Sequence, residues 1–105
     1  MITLVIALAL AAPNPGSIDA PRHAFSACLK TFENNQLNAK VDPAAYETAV
    51  KAACPTEAQA LTNALVKYDV AMGTKRATAA SNAERDVDDY RLTSVERYRD
   101  TVANP

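Results

Sequence analysis

The sequence has little of what enzymes and metal proteins use. Its 105 residues include two glycines, two cysteines, one histidine and no tryptophan. Two glycines do not make a glycine-rich phosphate loop, and no H-E-x-x-H or G-x-S-x-G motif occurs. The single histidine, His23, has neither the further ligands of a zinc site nor the oriented partners of an acid–base catalyst. These absences predict a protein that is not an enzyme and has no metal or cofactor.

Neither sign of charge dominates. The chain carries 11 basic and 12 acidic side chains, for a net charge of −1. Nucleic acids and anionic membrane surfaces attract proteins with a clear excess of positive charge. The sequence therefore predicts no nucleic-acid partner.

Large apolar side chains are scarce. Hydrophobic residues make up 49% of the sequence, but alanine supplies 22 of them and buries little area per side chain. A small domain with such a thin core usually needs a covalent link, a metal or a partner chain for useful stability.

The one long apolar run, from Ile2 to Ala12, is at the N-terminus. It is shorter than the ~20 residues of a membrane-spanning helix, and Ala9-Leu10-Ala11 provides the small residues that signal peptidase accepts. We expect a signal peptide over 1–11, although no Lys or Arg precedes the run; a retained N-terminal helix is the alternative. The mature chain is then periplasmic or secreted, without an integral membrane segment. Residues 12–20, with two prolines, are expected to be a flexible lead-in to one helical domain over 21–102.

Apolar residues recur at helical spacing and none of the chain alternates like a strand, so the fold is predicted to be all-α. Pro21 suits the first turn of helix one, which should end between Asn35 and Asn38. One face of this helix carries Phe25, Cys28, Leu29 and Phe32. Helix two should begin at Asp42-Pro43, end at Pro55, and form an antiparallel hairpin with helix one.

The third helical region runs from Pro55 to about Thr101. Gly73 is placed like a helix-ending glycine, and residues 81–84 have the form of a capping box that opens a new helix. However, residues 74–80 include good helix formers, and an internal glycine costs only ~1 kcal/mol. We favour one long helix bent at Gly73, on which the hairpin packs. A break near 73–81 would instead give a four-helix bundle.

This choice bears on function, because a straight third helix would extend beyond the first two helices. Its C-terminal apolar residues would then be an interaction surface for a homodimer or an envelope protein partner. If the chain folds back near Gly73, the same residues complete a four-helix core. They are Val87, Tyr90, Val95 and Tyr98.

Cys28 and Cys54 are predicted to form a disulfide. Cysteines of exported proteins tend to be oxidised in pairs, and arms of about ten and eleven residues in the hairpin bring the two sulfurs level. Two free thiols, or a metal or catalytic site, are the alternatives. The chain lacks C-x-x-C and the further ligands that zinc would need.

The two cysteine segments, ACLKTF and KAACPTEAQAL, and the helical stretch DDYRLTSVERYRD resemble those of small exported bacterial proteins of unknown function. That resemblance implies an exported helical protein and no activity. Residues 92–96, LTSVE, are also similar to the LTxxQ motif of periplasmic stress chaperones of the CpxP and Spy type, with glutamate in the last position. The sequence thus predicts an exported, non-enzymatic helical protein that acts through protein–protein contacts or self-association, with a stress chaperone as the alternative.

Overall fold

A computed structural model describes residues 14–105, so the predicted signal segment 1–11 lies outside the described part of the chain. Four helices form within it and pack together, which confirms the all-α prediction. They are α1 (Gly16–Asn38), α2 (Pro43–Val50), α3 (Pro55–Ala71) and α4 (Arg76–Ala103).

Helix α1 begins at Gly16, five residues before the expected start at Pro21. The side chain of Asn14 accepts a hydrogen bond from the Gly16 amide at 2.9 Å, and the Asn14 carbonyl accepts one from the Ser17 amide at 2.9 Å. Ile18 is buried in the core, so this first turn also gains apolar contacts. The lead-in predicted over 12–20 is therefore helical from residue 16 onward.

Helix α1 ends in a Schellman motif, in which two backbone amides bond back to the last turn of the helix. The Val41 amide donates to the Gln36 carbonyl at 3.1 Å, and the Lys40 amide donates to the Leu37 carbonyl at 3.0 Å. Lys40 has φ of 56°, a left-handed conformation that favours glycine. The end of α1 agrees with the range expected from its asparagines.

Helix α2 starts as predicted, with the Asp42 side chain accepting a hydrogen bond from the Ala45 amide at 3.1 Å and Pro43 in the first turn. It ends at Val50, earlier than expected. Residues 51–54 form a turn that leads into Pro55, the first residue of α3. The turn lets α2 and α3 follow one another along the bundle as two separate short helices.

The favoured single helix over the third region is wrong, because the chain breaks between Ala71 and Arg76. A second Schellman motif ends α3: the Thr74 amide donates to the Asp69 carbonyl at 2.9 Å, and the Gly73 amide donates to the Val70 carbonyl at 3.1 Å. Gly73 adopts φ of 98°, which an internal helical residue cannot have.

The predicted capping box at 81–84 is also wrong. The backbone of Lys75 is extended, and α4 starts at the next residue, so Ser81 lies inside the helix. The good helix formers at 76–80 extend α4 back to the turn.

Side-chain contacts give the directions of the helices. Arg22 contacts Asp86 and Glu33 contacts Arg97. A step of eleven residues towards the C-terminus of α1 thus corresponds to a step of eleven towards the C-terminus of α4, so the two helices are parallel. Glu47 contacts Arg99 and the Ala53 carbonyl contacts Arg91, so the α2–α3 segment runs the opposite way. The bundle therefore goes up along α1, down along α2 and α3, and up along α4.

The core lies between α1 and α4 on one side and α2 and α3 on the other. Every helix contributes to it. Its largest fully buried side chains are Tyr46, Tyr98, Phe25, Leu29, Leu61 and Val50. None of the four helices within residues 14–105 combines the length and apolar character that a membrane crossing requires.

Candidate functional site

The residues predicted as an interaction surface lie in the core, which corrects that prediction. Val87, Val95 and Tyr98 are buried, and Tyr90 is half-buried against the core. The break at Gly73 is the reason, because it turns α4 back along the other helices. The alternative interpretation, that these residues complete a four-helix core, describes the structure.

Two of the core tyrosines form the centre of a polar and aromatic cluster. The rings of Tyr46 and Tyr98 are stacked with centroids 3.9 Å apart. The hydroxyls of Tyr46 and Ser94 are hydrogen-bonded at 2.5 Å, and the Tyr98 hydroxyl donates to the Val41 carbonyl. Burial raises the pKa of Tyr46 above that of an exposed tyrosine, and the hydrogen bond with Ser94 opposes this effect in part.

A buried carboxylate, Glu33, lies next to this cluster and pairs with Arg97. The guanidinium donates to both carboxylate oxygens, from Nε at 2.8 and 3.0 Å and from Nη2 at 2.7 Å. The side chain of Glu33 is 6% exposed and that of Arg97 is 42% exposed. The hydrogen bonds to Glu33 raise the pKa of Arg97, and this bidentate geometry makes the contact a strong, charge-assisted pair.

Two further arginines join helices. Arg22 of α1 donates to the Tyr90 hydroxyl at 2.9 Å, and this hydrogen bond raises the pKa of Arg22. Arg91 of α4 donates to the Ala53 carbonyl at 2.9 Å, with its guanidinium 5.5 Å from the centre of the Phe25 ring. These arginines fix the positions of the helices.

The disulfide between Cys28 and Cys54 is present, with Cα atoms 6.1 Å apart. Cys54 precedes α3 in the left-handed conformation, with φ of 55° and ψ of 49°. The carboxylate of Glu57, in the first turn of α3, lies within 4.8 Å of both sulfurs. Because each sulfur is bonded to the other, this corner links α1 to the turn between α2 and α3.

The outer face of α3 carries a groove that the sequence interpretation missed. We call it the α3 groove. It has a volume of ≈ 460 Å³ and an apolar floor of valines and alanine, with polar and basic side chains at the rim. Its lining residues are Asn63, Val66, Lys67, Val70, Ala71 and Arg76.

Two side chains between Ala71 and Arg76 in sequence are also exposed. Met72 is 60% exposed at the end of α3, and Lys75 is exposed just before α4. No ion pair within residues 14–105 involves Lys67, Lys75 or Arg76. The groove is thus an apolar surface bordered by positive charge. The signal for it in the sequence is a spacing of 0, 3, 4 and 7 residues, which places four lining residues on one face of α3, next to the face that carries the buried Leu61 and Leu65. These four are Asn63, Val66, Lys67 and Val70.

A second exposed feature, the α4 ridge, is a row of side chains spaced four residues apart along α4. All five members are exposed, and four of them are acidic. The row contains no basic residue. Its members are Glu84, Asp88, Leu92, Glu96 and Asp100.

Comparisons with protein-family models, with curated proteins and with solved structures found no match to this chain.

Proposed function

We propose that this chain is an exported, non-enzymatic helical protein that acts by binding another polypeptide at the α3 groove. The observation that carries the proposal is the apolar floor of Val66 and Val70, bordered by Lys67 and Arg76 without acidic partners in the described chain. Both valines are half-buried, and a partly exposed apolar surface rimmed by polar residues is a feature of protein interaction sites.

The shape and charge of the groove favour a helix or extended segment as the ligand. An apolar side chain of the ligand that covers the two valines removes them from water and so stabilises the complex. Acidic residues next to that side chain would then lie close to Lys67 and Arg76. The expected ligand is an apolar residue flanked by carboxylates.

The interior supports a role other than catalysis. Glu33 binds Arg97, Tyr46 binds Ser94, and these polar groups are used in holding helices together. A catalyst needs a titratable group aimed at a substrate, with a partner that tunes it. The groove at α3 instead has an aliphatic floor.

Export is supported by two features that arise independently. A disulfide is consistent with an oxidising compartment, because thiols in the cytosol are kept reduced. The apolar run at 2–12 has the length and small terminal residues of a signal peptide. Together they favour the periplasm or the cell exterior.

A photo-crosslinker in the groove tests the binding function. Ala71 is replaced by p-benzoylphenylalanine, and the matched control carries the same group at Ala27, an exposed residue of α1. We expect a crosslinked polypeptide from position 71 in the producing cell and again with the purified components, and none from position 27. Equal yields at the two positions, or no product at 71, would exclude the α3 groove as a binding site.

A periplasmic chaperone for unfolded chains is the second candidate, favoured by the exposed Met72 beside the groove. Methionine side chains are flexible and adapt to ligands of different shape. A chaperone would suppress aggregation of a denatured substrate at near-stoichiometric ratios, and Met72→Ser would weaken that effect. A protein that docks on one specific partner would leave such aggregation unchanged.

A further inference from the structure

We infer that the partner at the α3 groove is a second copy of this chain, which presents its α4 ridge. This inference rests on the proposed function, because it identifies the ligand of the same groove. Each copy carries both surfaces, so the α3 groove of one copy can bind the α4 ridge of another.

The chemistry of the ridge matches the ligand that the groove requires. Leu92 is 53% exposed on α4 and has no place in the core. Asp88 and Glu96 lie four residues before and after it, about 6 Å away along the helix. The ridge therefore presents an apolar side chain with a carboxylate one turn to each side.

The charges of the two surfaces are opposite, and no ion pair within residues 14–105 satisfies them. The ion pairs within residues 14–105 use Asp86, Glu33 and Glu47 as their acids. The four acids of the ridge and the bases of the groove are not among these pairs. Association would place Asp88 and Glu96 against Lys67 and Arg76, and Leu92 over the valines.

Size is the second match. The groove extends along α3 from Asn63 to Ala71, about 12 Å at 1.5 Å per residue. The segment of the ridge from Asp88 to Glu96 has the same length. A row of side chains at four-residue spacing is also the ridge that commonly packs into the grooves of another helix.

The contact joins two different surfaces, so it is heterologous. Two such contacts close a dimer if both surfaces meet at once; otherwise further copies add in a chain. In both cases the average mass rises with protein concentration, and added salt lowers it because the bordering charges are screened.

Reversing the charges on each surface tests the assignment. Lys67→Glu with Arg76→Glu alters the groove, and Asp88→Lys with Glu96→Lys alters the ridge. The association of the oxidised protein is measured by sedimentation equilibrium and light scattering. We expect the association constant of each double variant to be at least about tenfold lower than that of the original chain. An equimolar mixture of the two variants should associate again.

The mixture restores binding because the reversed ridge of one chain then lies opposite an altered groove of the other, with complementary charges. Lys30→Glu with Lys51→Glu is the control matched to the groove variant, since it makes the same change in net charge as that variant at exposed sites of α1 and of the turn after α2. Circular dichroism melting curves establish that each variant is folded.

Three outcomes would overturn the inference: a monomer at all concentrations, equal weakening in the control, or no recovery in the mixture. The crosslink from position 71 separates these from a failure of the proposed function. A product with a different polypeptide retains the groove as a binding site and removes the second copy as its ligand. A product of twice the monomer mass supports both.

Discussion

The ring of Tyr98 lies flat against the ring of Tyr46, with 3.9 Å between centroids and 3° between planes. This contact attaches the short helix α2 to the C-terminal half of α4. Tyr98 also donates a hydrogen bond to the carbonyl of Val41, just before α2 begins. Because α2 has only eight residues, such contacts between helices supply most of its stability.

Removing the Tyr98 ring should therefore be costly. We expect Tyr98→Ala to lower the free energy of unfolding by about 3–5 kcal/mol, as aromatic truncations in cores do. Tyr98→Phe keeps the ring but leaves the Val41 carbonyl without its donor, and should cost about 1 kcal/mol. Urea denaturation followed by circular dichroism measures both changes. Val102→Ala on the same helix is the control, because Val102 is exposed and should change little; an equal loss there would contradict this account.

Alkaline pH should weaken the same cluster. Burial is the main cause that raises the pKa of Tyr46, and the hydrogen bond with Ser94 opposes it in part. The folded chain therefore holds this proton more tightly than the unfolded chain, whose tyrosine pKa is about 10. The contribution of Tyr46 to stability is complete below about pH 10 and is lost as the pH rises through the folded-state pKa.

Unfolding free energies measured from pH 8 to pH 11 test this dependence, with absorbance at 295 nm reporting the tyrosinate. Tyr46→Phe should flatten the alkaline loss. Burial raises the pKa of Tyr98 as well, so the double variant with Tyr98→Phe should be flatter still. If the original chain and Tyr46→Phe lose stability in parallel, Tyr46 does not control the alkaline transition.

The pair of Glu33 and Arg97 should respond unequally to the loss of each partner. The Glu33 side chain is 6% exposed, whereas water reaches Arg97, which is 42% exposed. Arg97→Ala leaves a buried carboxylate without its donors and should cost about 2–3 kcal/mol. Glu33→Gln leaves a cation that water can solvate and should cost about 1 kcal/mol. Urea denaturation at pH 7 compares them, and a larger loss from Glu33→Gln would refute the proposed asymmetry.

Much of the fold follows from local signals in the sequence. The spacing of Phe25, Cys28, Leu29 and Phe32 identifies the face that α1 turns to the core, and Asp42-Pro43 marks the start of α2. The disulfide could be predicted because the two cysteines lie at similar distances along the two arms of a helical hairpin. These features depend on few residues that are close in the sequence, or on simple geometry.

The path after Gly73 could not be decided in the same way. A Schellman turn and a continuous helix differ locally by about 1 kcal/mol for one glycine, and tertiary packing decides between them. Burial of Val87, Val95 and Tyr98 against the other helices favours the break. The same long-range packing determines which face of α3 remains outside, and this is why the α3 groove had to be found in the structure.

The disulfide should matter both as a crosslink and through the conformation of Cys54. Replacing both cysteines by alanine should lower the free energy of unfolding by about 3 kcal/mol, because the crosslink restricts the unfolded chain. The backbone at Cys54 is left-handed, which costs about 1 kcal/mol for any residue with a Cβ. The variant with Cys28→Ala and Cys54→Gly should therefore be more stable than the double alanine variant by about 1 kcal/mol. Thermal melting without reductant compares them, and equal melting temperatures would show that the left-handed turn is lost with the disulfide.

The two Schellman turns provide a matched pair of substitutions, one that introduces a glycine and one that removes it, with opposite expected effects on the free energy of unfolding. Lys40 occupies at the end of α1 the left-handed position that Gly73 occupies at the end of α3. Lys40→Gly should raise the free energy of unfolding by about 0.5 kcal/mol, because strain is relieved at some cost in chain entropy. Gly73→Ala should lower it by about 1 kcal/mol, and strain alone is responsible, since no atom lies within 4 Å of the added Cβ. Urea denaturation measures both. If Gly73→Ala instead stabilised the chain, α3 and α4 would be able to join into the continuous helix, and the core position of Val87 and Tyr98 would change with it.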